Sequence, residues 1–144
     1  MTPDVNVLVA ASRLDYPHHE PALAWLEEAL ALCANGRSLV ILPMVASGLL
    51  RRVTHPKVFM EPTPIDAALA YLRAVLDSPG VTLLSLGKEW AAFELLCAHH
   101  RLTRNAIPEA WIADAAQSYH LHLVTFDKGF RKLLKPSRVT VLEV

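Results

Sequence analysis

The sequence predicts an α/β fold, a three-layer α/β/α arrangement around a mostly parallel sheet of about four to five strands. Short apolar runs alternate with longer stretches of helical period along the whole chain, the pattern of strands joined by crossover helices. The run Ser38 to Pro43 is continuously apolar, as a strand covered on both faces requires. A hydrophobic fraction of 53% against 19% charged residues supplies a core for a single domain over residues 1–144 and excludes disorder.

After the short opening Met1 to Asp4, the segment Val5 to Ala11 is apolar enough for either a strand or a helix, and periodicity leaves both open. Pro17 to Asn35 is a helix whose Leu23, Leu26, Leu30 and Cys33 share one stripe, stopped by Asn35-Gly36. Val45 to Val53 is a short helix ending before Thr54-His55-Pro56. Thr63 to Asp77 is another, with Thr63 as N-cap, Pro64 at the first position and Ile65, Leu69, Leu72 and Leu76 facing inward. A turn at Ser78-Pro79-Gly80 leads to a strand over Val81 to Ser85. Helices follow over Lys88 to Arg101 and Pro108 to Tyr119, then a strand over Leu121 to Thr125. Lys128 to Leu134 is a last short helix and Val139 to Leu142 a closing strand.

Composition narrows the function classes. Fourteen basic residues balance fourteen acidic ones, so nucleic-acid binding has to use local patches rather than a global field. The longest apolar stretch, Leu39 to Leu50, is interrupted by Pro43 and Ser47 and is too short to cross a bilayer. Asp4 stands where a secretory signal would carry basic residues. Cys33 and Cys97 form no pair motif and read as buried free thiols in a reducing cytoplasm.

Three carboxylates carry the functional signal. Asp4 lies at the N-terminus, Glu109 opens a helix within Ile107-Pro108-Glu109-Ala110-Trp111, and Asp127 follows the strand Leu121 to Thr125. In parallel α/β folds ligands gather at the carboxyl ends of the strands, where a very short first strand would also place Asp4. Converging carboxylates repel, and a hard divalent cation such as Mg²⁺ or Mn²⁺ relieves that repulsion. Each acid also has a local explanation: Asp4 and Asp127 as N-caps, Glu109 as a charge in a helix's first turn. Three acids placed for one edge of one sheet favour a shared site.

These residues resemble a known family. Asp4-Val5-Asn6-Val7-Leu8-Val9 is similar to the opening Asp-x-Asn-x-Leu signature of the PIN-domain ribonucleases. Arg51-Arg52-Val53-Thr54-His55-Pro56 resembles the Arg-x-x-Thr-x-Pro segment of a subgroup of the VapC-like toxins of bacterial toxin–antitoxin pairs. Pro108-Glu109-Ala110-Trp111-Ile112-Ala113 and Val124-Thr125-Phe126-Asp127-Lys128-Gly129-Phe130 are similar to the two C-terminal motifs. The resemblance runs end to end. The chain departs from the pattern at Gly48, where the family has a second acid, at Glu109, where it usually has Asp, and at Gly129, where an Asp is frequent.

The resemblance implies a metal-dependent endoribonuclease toxin that hydrolyses RNA phosphodiesters and is silenced by a cognate antitoxin. Asp4, Glu109 and Asp127 would hold Mg²⁺ or Mn²⁺, with Asn6 and Thr125 fixing them by hydrogen bonds. With one acid missing, weaker metal binding at one occupied site is expected. Asp114 ranks second as a compensating acid, because five residues beyond Glu109 it lies about 140° round the helix. Arg51 is the leading contact for an RNA phosphate, within a basic cluster of Arg51, Arg52, His55 and Lys57. A second cluster comprises Lys128, Arg131, Lys132, Lys135 and Arg138. The family resemblance further implies a homodimer.

His120 and His122 share a strand face but lack Cys or His partners at zinc-ligand spacing, so a zinc site is set aside. Trp25, Trp90, Phe93 and Trp111 lie on helical stripes suited to packing. Two competing readings remain. Gly48 favours a catalytically impaired PIN-like domain that binds protein or RNA. A phosphoacceptor signalling domain would need an Asp after the strand Val81 to Ser85, where the chain has Leu86-Gly87-Lys88.

Overall fold

Every expected strand is present, though shorter than its apolar run. The computed structural model describes residues 1–143 and contains β1 (Thr2–Pro3), β2 (Leu39–Ile41), β3 (Val81–Leu83), β4 (Leu123–Thr125) and β5 (Val139–Val141). All the pairings are parallel: β1 and β5 flank β4, while β2 pairs with β3. The Val40 N–H donates to the Met1 carbonyl at 2.8 Å and the Met1 ammonium to the Ser38 carbonyl at 3.1 Å. These bonds join the two ladders in the order β3-β2-β1-β4-β5. Leu39, Val40 and Ile41 are all buried, and since successive strand residues point to opposite faces, β2 is covered on both.

Among the described residues six α-helices connect the strands: α1 (Val5–Ser12), α2 (His19–Ala34), α3 (Pro43–Val53), α4 (Ile65–Leu76), α5 (Trp90–His100) and α6 (Ala106–Ser118). The ambiguous segment after Asp4 is helical despite its β-branched valines. Asp4 caps it, accepting the Val5 N–H at 2.7 Å, and tertiary packing does the rest. Val7 to Ala11 are all buried, so α1 is a core helix enclosed on every side. Full burial of each of Val7, Leu8 and Val9 contributes about 2 kcal/mol.

Several expectations are corrected. Thr63 is not the cap of α4: Pro64 takes that place without a side-chain bond, and the Thr63 hydroxyl accepts from Arg13 Nη1 at 2.8 Å. Ile65 and Leu69 are exposed, and the buried stripe of α4 is Ala68, Leu72 and Val75. The expected helix after Asp127 is only a 3-10 turn over Lys128–Lys132. His120, with φ +55°, and His122 both lie before β4 begins at Leu123, so they share no strand face. Cys33 is buried but Cys97 only half-buried, both as free thiols.

Arg13 fastens the loop before α4 to the end of α1. Its guanidinium pairs with Asp15, donates to the Glu61 carbonyl at 2.8 Å and lies 3.8 Å over the centre of the Phe59 ring. Among the described residues no helix is long and apolar enough to cross a membrane.

Candidate active site

The parallel topology brings the carboxyl ends of β1 and β4 side by side, and an acid stands within two residues of each. Asp4 leaves β1 with its N–H bonded to the Val124 carbonyl at 2.8 Å. Asp127 follows β4 after one intervening residue, and Glu109 comes from the first turn of α6. All three line one pocket of about 440 Å³, together with Asn6, Ser47, Gly48, Arg51, Arg52 and Asn105. A 121-residue separation between Asp4 and Thr125 is thus closed by sheet pairing.

A single hydroxyl organises this pocket. Thr125 is wholly buried and its Oγ1 donates to Asp4 Oδ2 at 2.7 Å. The same oxygen accepts the Asp127 N–H at 2.9 Å and Asn6 Nδ2 at 3.3 Å, so donor and both lone pairs are used. Asn6 Oδ1 in turn accepts the Phe126 N–H at 3.3 Å. Asp127 Oδ1 accepts the Gly129 N–H at 2.7 Å. Asp4 and Asp127 are therefore helix or turn caps and pocket acids at once; the two roles use different oxygens or different lone pairs.

Charge is concentrated here. Burial pushes the Asp4 carboxyl above its ordinary range, against the pull of the Thr125 and Val5 hydrogen bonds; Asp127 pushes further and Arg52 opposes. Glu109 is also raised, first by burial and then by the negative charges of Asp127 and Asp4. Among the described residues no three His, Cys, Asp or Glu side chains stand close enough to enclose an ion as they are. The site is a set of hard oxygen donors that repel one another, with Arg51 and Arg52 on its wall.

Gly48 packs against α1, and a Cβ built there would come within 2.7 Å of Val5 Cγ2. The position that in the family resemblance carries the second acid is thus taken up by a helix–helix contact. Sequence reasoning overlooked Ser47 and Asn105 in the pocket wall, and neither belongs to a motif that singles it out. Arg52 stood only as one member of a basic cluster. Its Nη2 donates to the Tyr16 hydroxyl at 3.3 Å while its charge acts on Asp4.

Asp114 is not in this pocket. It is buried beside Glu89, whose carboxylate accepts Trp111 Nε1–H at 3.1 Å, the Gly87 N–H at 2.9 Å and the Tyr119 hydroxyl at 3.3 Å. Burial pushes Glu89 up, yet these donors outweigh it and hold the carboxyl below its ordinary value. Asp114 has no such support. Its Oδ2 is buried without a partner, and burial followed by the Glu89 charge raises its pKa. Glu89 fixes the start of α5 against α6, a role that nothing in its sequence neighbourhood announces.

A family profile described as PIN domain matches residues 1–135. Ribonuclease VapC25 of Mycobacterium tuberculosis is 29% identical over 130 residues, covering 90% of this chain and 89% of that protein. VapC ribonuclease Mb2897 of Mycobacterium bovis is 32% identical over 130 residues, covering 90% of this chain and 86% of the relative. The crystal structure of VapBC2 from Rickettsia felis, bound to a DNA fragment from its promoter, has the same fold. Its TM-score is 0.66 at 17% identity, with coverage of 99% of this chain and 98% of that one.

Proposed function

The chain belongs to the PIN-domain family, and from that premise we propose that it is a metal-dependent endoribonuclease toxin neutralised by a cognate antitoxin. The observation that carries the reading is the convergence of Asp4, Glu109 and Asp127, from three separate elements, on one pocket walled by Arg51 and Arg52. The relatives named as ribonucleases and the fold shared with a VapBC complex support it.

The donor set fits a hard cation. Three carboxylates supply oxygen ligands; burial first and mutual repulsion second raise Asp4 and Glu109, and a divalent ion would relieve the repulsion. Asp4, Glu109 and Asp127 would hold it as Mg²⁺ or Mn²⁺. When bound, the ion lowers the pKa of a coordinated water and offsets charge on the phosphodiester oxygens. The residues of the chain do the rest. Thr125 and Asn6 fix the Asp4 carboxylate and the Asp127 backbone through their bonds. Arg51, exposed on the pocket wall, meets an RNA phosphate and positions the strand for in-line attack.

The protein acts in the cytoplasm, where RNA and antitoxin are found. It forms a homodimer, for which the exposed Trp90, Leu95 and Ile107 on α5 and α6 offer apolar surface. Light scattering should give twice the monomer mass, and a monomer would remove that part of the reading.

The direct test is cleavage of a fluorophore–quencher RNA by the antitoxin-free protein with Mn²⁺. Cleavage should disappear with chelator and in Asp127→Asn. Wild-type protein inactive with both Mg²⁺ and Mn²⁺ would contradict the reading.

A further inference from the structure

Behind the acid pocket the loop after β4 turns a second set of residues outward. Asp127 faces the pocket already described, while its neighbours Phe126 and Lys128 line another of about 490 Å³ with His18, Arg131 and Glu143. Its floor is aromatic: the His18 and Phe126 rings stack with centroids 4.8 Å apart and planes 28° from parallel. Its rim is cationic. Lys128 and Arg131 are exposed and have no ion-pair partner among the described residues, with Glu143 the single acid opposing them.

The floor is held at a cost. His18 adopts φ +70°, a left-handed backbone uncommon outside glycine, with Asn, Asp and His the residues that enter it most often. It heads α2 without making a capping bond, and its Nδ1 is buried with no hydrogen-bond partner. Strain and an unsatisfied nitrogen in one residue destabilise the fold, and such features collect where a ligand site needs them. A half-buried aromatic stack, on which a further ring can continue the stacking, beside two exposed cations matches one ligand chemistry, a nucleobase with its phosphate.

We infer that the His18–Phe126 stack, with Lys128 and Arg131, is a subsite for a nucleotide flanking the scissile phosphate of single-stranded RNA. The inference rests on the ribonuclease reading for the identity of the ligand. Phe126 links the two sites directly, because its N–H is held by Asn6 and its neighbours on the chain are Thr125 and Asp127. A base seated on this floor would therefore bear on the loop that carries Asp127.

The test is binding, in chelator, of a fluorescein-labelled single-stranded RNA pool to the purified full chain. Metal-independent binding keeps the readout apart from catalysis. Phe126→Leu, which retains apolar bulk, and His18→Asn, which tolerates the left-handed backbone, should each weaken binding on the order of tenfold. Arg131→Gln should lower the slope of log affinity against log salt by about 0.7. Mn²⁺ binding, titrated separately, should be unchanged in His18→Asn and Arg131→Gln. Weakened RNA binding without any Mn²⁺ site in wild type would overturn the nuclease reading yet support the subsite. Unchanged RNA affinity and salt slope in all three would overturn the subsite, and leave this surface to an acidic protein segment.

Discussion

Replacing Thr125 with Val tests whether one hydroxyl organises the acid pocket. The substitution keeps the β-branched shape of a wholly buried side chain and replaces its hydroxyl by a methyl. Asp4 Oδ2 then loses a donor at 2.7 Å, the Asp127 N–H loses an acceptor at 2.9 Å, and Asn6 loses one at 3.3 Å. A bond to a charged group is worth about 1.5–3 kcal/mol, and a neutral one about 1 kcal/mol. The long Asn6 contact adds little, so the expected loss is roughly 3–4 kcal/mol, read as a shift of the urea midpoint at constant slope. Mn²⁺ affinity should fall about 10–100-fold, because the ligands lose their supports. Thr125→Ser restores the oxygen and should recover most of both. A loss under about 1 kcal/mol with unchanged Mn²⁺ affinity would refute the hub.

Other consequences follow from single contacts. Glu at position 48 must displace Val5, whose methyls would sit 2.7 and 3.3 Å from the new Cβ, so Gly48→Glu alone should cost about 1–3 kcal/mol. Pairing it with Val5→Ala should relieve the strain and tighten Mn²⁺ binding; a neutral single variant would refute the packing argument. Asp114 has its folded pKa raised above the ordinary value near 3.8, so its contribution is most favourable at low pH and is lost as pH rises through the folded value. Asp114→Asn should therefore be more stable than wild type at neutral pH, with the gap closing below about pH 4; denaturation across that range checks it. Tyr71 has a buried hydroxyl with no partner and a pKa pushed up to about 12 by burial. Tyr71→Phe should raise stability by about 1 kcal/mol in thermal unfolding, and a loss would show that the hydroxyl has a partner after all.

The acids were legible because each stands near a boundary that sequence marks: the end of a short first strand, the Pro-bearing first turn of a helix, the step after a mostly apolar strand. Parallel pairing of β1 with β4 then brings Asp4 and Asp127 together without further information. The helical state of Val5–Ser12 was not legible, since its valines suit either structure and the Asp4 cap decides. Thr63 misled because Ser or Thr before Pro is a strong cap signal, and only the fold brings Arg13 across to claim its hydroxyl. The Glu89 cluster and the left-handed His18 depend on contacts between distant elements and leave no pattern along the chain.

The central claim is that three separated carboxylates form one metal site in a ribonuclease. Calorimetric titration of Mn²⁺ into the antitoxin-free protein, beside Asp4→Asn, Glu109→Gln and Asp127→Asn, tests it most directly. The account predicts saturable binding by wild type that each substitution removes or severely weakens. No saturable binding by wild type at millimolar metal with RNA present, or binding that survives in all three variants, would contradict it.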